Sequence, residues 1–177
     1  PTGASLLGST LSILFLLLIL PMMCRCKKID GKARWMKLCW IAFGAEVLLF
    51  MLMKQGNSSH REMQQILGLG SLMIWILLMP PYFKSWRWRV GAAGWRNATL
   101  VWLLVLILTG WMNFLPGWLD HLKFTNGLVA HSHLAMAGFC SSFLMLLMAQ
   151  TLPEKWGHVL CRKPEFSFWQ TAIVGYV

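Results

Sequence analysis

The sequence is cut into apolar blocks of roughly bilayer length, and this constrains the fold more than any other feature. Five blocks run over about 5–23, 38–53, 66–83, 97–115 and 126–150, and a sixth opens near Phe166. A bilayer core takes about 20 apolar helical residues. The second block is the shortest, and it is flanked by Lys37 and Lys54, whose long stems can reach the interfaces. None of the blocks has the residue-by-residue alternation of a transmembrane β-strand. A helix satisfies its own backbone hydrogen bonds inside lipid. The expectation is therefore an all-α polytopic transmembrane helix bundle, with five spans and a truncated sixth, forming one transmembrane region over residues 1–177.

Composition agrees. With 12% charged and 57% apolar residues, the chain carries half the charge of an ordinary soluble domain, which is about a quarter charged. Such hydrophobicity excludes disorder. Five Cys without density or regular spacing do not make a disulfide scaffold. The chain opens on Pro1 and stops inside an apolar run, which reads as a piece of a longer protein.

The loops alternate in charge. Of the 16 Lys and Arg residues, all but Lys54, Arg61 and Lys123 fall in the first, third and fifth loops. By the positive-inside rule these loops are cytoplasmic, and the fifth span runs from outside to inside. The net charge of +10 is thus a topology signal rather than the mark of a nucleic-acid binder. The run Lys84-Ser-Trp-Arg-Trp-Arg falls where an interfacial tryptophan belt is expected. Trp111, Trp118, Trp156 and Trp169 lie near span ends, and the abundance of Met and Trp is most simply lipid-facing bulk.

The residues best suited to chemistry are His131 and His133, in the outer part of the fifth span. Polar side chains in a membrane are costly and mark functional sites by default. Residues two apart on a helix point about 200° apart. The two imidazoles are therefore badly placed to grip one ion, but each can serve as an axial ligand to a different heme iron. Ala130, Ala135, Ala137, Gly138, Ser141 and Ser142 keep the helix slim enough for a flat cofactor. The same small residues also suit plain helix packing, and a membrane His can simply bond a neighbour.

The run from His121 to Phe139, HLKFTNGLVAHSHLAMAGF, resembles the tenth helix of the catalytic subunit of heme-copper respiratory oxidases. It is nearest to the branch with b-type hemes and the related nitric oxide reductases. The resemblance implies a subunit of some twelve helices in a bacterial inner membrane, reducing oxygen or nitric oxide with electrons from a cytochrome donor or partner subunits. It assigns His131 to the high-spin heme and His133 to the low-spin heme, near the outer end of a helix running inward. The charge pattern gives the fifth span that same direction independently. The family's copper ligands are a different matter. Counted back from this helix, the first span should hold a His, yet it has neither His nor Tyr. The loop after the second span has one His, His60, where an adjacent pair is expected. On this count copper is left without its ligands, which leaves open a non-catalytic membrane cytochrome, or a cofactor-free transporter or assembly protein.

Glu46, inside the second span, is expected to be protonated or paired, and it suits either a proton path or a hydrogen bond within the bundle. His60, His121 and His158 read as ordinary loop histidines, and Cys24-Arg-Cys26 as a pair of reduced thiols at the cytoplasmic interface. Asp120-His121 is placed to meet heme propionates or ordered water. The sequons at Asn57 and Asn97 matter only in a secretory setting.

Overall fold

The computed structural model describes residues 3–53, 62–113, 115, 117–122 and 125–177, apart from the side chains of 3–6 and 119. Lys54, Arg61, Lys123, His60 and the Asn57 sequon lie outside them. The described chain is an all-α bundle in which four helical stretches are long and apolar enough to cross a membrane: Ala33–Leu52, Met63–Phe83, Ala93–Met112 and Gly127–Thr151. The protein is a helical membrane protein.

The leucine-rich first helix, α1 (Gly3–Met23), buries Leu7, Leu11, Leu14, Leu17, Leu18 and Leu20. It stops in a Schellman turn: Cys26 N–H bonds Pro21 O at 2.8 Å and Arg25 N–H bonds Met22 O at 2.9 Å. Arg25 takes the left-handed position, φ 52°, that glycine usually fills. Helix α2 (Ala33–Leu52) is longer than the apolar block suggested, because Arg34 and Lys37 sit exposed on its first turns instead of ending it. The third span is broken into α3 (Met63–Ser71) and α4 (Ile74–Phe83) by a tight turn, where Leu72 N–H bonds Leu69 O and Met73 N–H bonds Gly70 O. Pro80 and Pro81 lie in the last turn of α4, close to where the helix ends.

Helix α5 (Ala93–Met112) is the hub, packing against α3, α4 and the whole fifth span. After the short α6 (Trp118–Leu122), the fifth span begins as α7 (Gly127–His133). It widens into a π-helical segment over Leu134–Cys140 and continues as α8 (Ser141–Thr151). Helix α9 (Glu154–Leu160) turns back beneath it. Helix α10 (Lys163–Tyr176) then starts at Lys163, a few residues before its apolar run, with Pro164 in its first turn.

The three basic loops gather at one end of the bundle, as the charge alternation requires. Strands β1 (Lys27–Lys28) and β2 (Trp86–Arg87) join the first and third loops in a two-residue antiparallel ladder. Arg89 Nη1 donates to Leu152 O at 2.6 Å, and Trp95 Nε1 to Leu160 O at 2.8 Å, tying the third loop to the fifth. Buried Gln150 accepts the Arg89 backbone N–H through its side-chain oxygen. Several tryptophans correct the lipid-facing expectation. Trp75, Trp86 and Trp95 are buried, and Trp88 stacks on Phe83 at 5.2 Å with its Nε1–H on Phe83 O. Trp118, Trp156 and Trp169 are exposed, as interfacial anchors are.

Cys24 and Cys26 are free thiols at this basic end. Burial, helped by neighbouring Cys26, pushes the Cys24 thiol up to about 11. Only the thiolate attacks electrophiles, so iodoacetamide labelling of Cys24 at pH 8 should be about a hundredfold slower than that of an ordinary thiol. The rate should keep climbing until the pH passes about 11. Rapid labelling at pH 8, followed by mass spectrometry, would contradict this.

Candidate functional site

His131 and His133 both sit in the last turn of α7, half-buried, and they meet different partners. His131 points at α5, where its Nδ1 lies 2.9 Å from Thr109 Oγ1. Thr109 Oγ1 is also 2.8 Å from Val105 O, the carbonyl one turn back in its own helix. A hydroxyl has one proton. Given to Val105 O, that proton leaves Oγ1 to accept from His131, which puts the imidazole hydrogen on Nδ1. Nε2 then keeps its lone pair, and among the described residues it has no hydrogen-bond partner. This is how a histidine ligand is usually prepared: one nitrogen anchored by a neighbour, the other free for a metal.

The ring lies against Gly110. A Cβ at that position would be 3.3 Å from His131 Cε1 and 3.7 Å from Nε2, so glycine is what lets the imidazole sit this close to α5. His133 turns to α10, where its ring lies over Tyr176 with centroids 4.8 Å apart and planes tilted by 31°. The divergence expected from the spacing of two is thus realised: the structure does not bring the two rings to a common point.

Directly below, the π-helical turn holds Gly138 against the Trp102 indole of α5. Trp102 Nε1 in turn donates to Gln170 Oε1 of α10 at 3.1 Å. Trp102, Gln170 and Tyr176 therefore lock α5, the π turn and α10 together around the histidines. The small residues named for slimness serve this packing, with Gly138 and Ser142 buried. π-Turns inside α-helices occur frequently at functional sites.

Glu46 is buried, away from both histidines in the contacts it makes. Ser71 Oγ lies 2.8 Å from Glu46 Oε2 and 2.6 Å from Gly68 O. One hydroxyl proton cannot serve both acceptors. When it goes to the carbonyl, a protonated carboxyl completes the second contact as the donor. The pair sits where the third span breaks between α3 and α4.

His121 bonds its own turn, Nδ1 to Gly117 O at 2.6 Å, and His158 is exposed on α9. Among the described residues no group of three or more His, Cys, Asp and Glu could hold a bare metal ion. What is present is one imidazole on each of two faces of the helix, His131 held by Thr109 and His133 lying over Tyr176. Heme iron, to which a protein supplies one nitrogen on each side, does not require such a group of three. Sequence reasoning missed Thr109, Gly110 and Tyr176. Thr109-Gly110 was a visible interruption of an apolar span, but nothing in the sequence paired it with His131. Compared with known protein families, with curated proteins and with solved structures, the chain matches none.

Proposed function

We propose that this chain is the ligand-bearing part of a heme-containing integral membrane oxidoreductase, related to the catalytic subunit of terminal cytochrome oxidases and nitric oxide reductases. The observation that carries the reading is the Thr109–His131 contact, which leaves Nε2 as a free ligand atom beside a glycine, while His133 serves the other face of the same helix. His131 would hold the high-spin heme and His133 the low-spin heme, whose second axial ligand comes from another part of the protein. Bound heme supplies one-electron redox chemistry. The chain's own residues hold His131 against α5 through Thr109 and His133 against α10 through Tyr176, and the Gly138–Trp102 contact packs the π turn that follows them on α5. Glu46 and Ser71 hold a proton within the membrane, as a reaction that consumes protons together with electrons requires. The acceptor is oxygen or nitric oxide, the donor a cytochrome or a partner subunit, and the location a bacterial inner membrane.

The heme content of the purified full-length protein, produced with heme supplied and assayed as pyridine hemochromogen, tests this. The reading predicts one heme for each of the two histidines, and a folded protein without heme overturns it. A second reading has its own support, because both rings already have partners in Thr109 and Tyr176. On that reading the histidines serve packing in a cofactor-free membrane protein. The sequence of the first span, without His or Tyr, favours in turn a cytochrome without a copper site.

A further inference from the structure

The ladder between the first and third loops places two cations face to face. Lys27 is paired across the strands with Arg87, and Lys28 with Trp86. Directly opposed residues in an antiparallel pair project on the same side, with Cβ atoms about 5 Å apart, and like charges there are destabilising. A protein that places such a pair at its surface gains from an anion between them.

Four of the neighbouring cations are already engaged. Lys28 Nζ lies over the Trp86 ring at 5.6 Å, and Lys32 Nζ donates to Lys84 O at 3.2 Å. Arg34 covers Trp35 at 5.3 Å, and Arg89 is held by Leu152 O. Lys27 and Arg87, both exposed, have no acidic partner among the described residues. In these two loops the sequence supplies a single acid, Asp30. Met22 and Met23, exposed at the end of α1 a few residues before Lys27, present apolar surface where acyl chains begin.

We propose that Lys27 and Arg87 form a binding site for the phosphodiester of an anionic phospholipid in the leaflet at the basic end of the bundle. The occupant is a lipid rather than a soluble phosphate, because the pair sits at the ends of α1 and α4, where spans leave the membrane. This site is independent of the histidines.

The test is lipid retention by native mass spectrometry of the full-length protein in non-ionic detergent, titrated with phosphatidylglycerol, phosphatidylcholine or inorganic phosphate. Phosphatidylglycerol should be retained well above phosphatidylcholine. The paired variant Lys27→Gln/Arg87→Gln should weaken it about thirty-fold, the ratio for two surface cations of about 1 kcal/mol each. Arg162→Gln, which removes a basic residue of the fifth loop with Glu165 as its neighbour, should leave retention unchanged. Equal retention of the two lipids, undiminished retention by the paired variant, or displacement by inorganic phosphate at matching concentration would overturn the proposal. Should the paired variant fail to fold, the single variants Lys27→Gln and Arg87→Gln decide it, each expected to weaken phosphatidylglycerol retention about five-fold; undiminished retention in both would overturn the proposal.

Discussion

Gly138→Val is expected to cost the bundle about 3 kcal/mol or more, beyond the 1–3 kcal/mol usual when a methylene is forced into a packed core. The space for a side chain is already taken. A Cβ on Gly138 would lie 2.6 Å from Trp102 Cε3 and 2.7 Å from Cδ2, both atoms of the rigid indole rather than the tip of a flexible chain. Trp102 cannot swing aside without giving up its bond to Gln170. Between helices in lipid, where apolar burial adds little, close packing of this kind supplies much of the association energy. Denaturant titration in mixed micelles should show the loss, with Gly138→Ala falling between wild type and Val. Trp102→Leu in the Gly138→Val background should recover part of it, since the two changes act on one contact. An unchanged midpoint for Gly138→Val would mean that the π turn and α5 are not packed as described.

The second large effect concerns the histidines. His131→Ala and His133→Ala are expected to act separately, each removing one heme signal and leaving the other, because the rings contact different helices. If both were ligands to one centre, either variant would abolish everything. Thr109→Val keeps the side chain's shape but removes the oxygen that holds His131 Nδ1–H. Losing such an orienting partner commonly costs 10–100-fold in metal affinity. Heme retention at the His131 site should fall in that range, with the His133 signal intact. Optical spectra of the three variants, with circular dichroism to confirm folding, check this. Joint loss of both signals in either alanine variant would contradict the separate-face geometry.

Four spans were legible in the sequence because blocks such as 66–83 approach bilayer length and are more apolar than soluble helices. The gathering of the basic loops at one end was legible from charge alone. Helix ends were less so. Arg34 and Lys37 looked like a boundary, but exposed cations on a first turn do not stop a helix, and α2 runs back to Ala33. The start of α10 carried a readable signal in Lys163-Pro164-Glu165, with proline and an acid in a first turn, that the apolar run near Phe166 obscured. The π turn left no signal in the sequence; in the structure Trp102 packs on Gly138 within it. At the site, the angle between His131 and His133 followed from helix geometry within one span. Their partners did not, because which residue of another span lies opposite depends on the rotation and depth of each helix.

The most direct measurement is a reduced-minus-oxidised optical spectrum of the purified full-length wild-type protein. On the proposed function, sharp visible bands of a low-spin heme with a high-spin contribution beneath them are expected. A folded, colourless protein that stays featureless after heme is supplied would contradict it. His131 and His133 would then be packing residues, held by Thr109 and Tyr176 and nothing else.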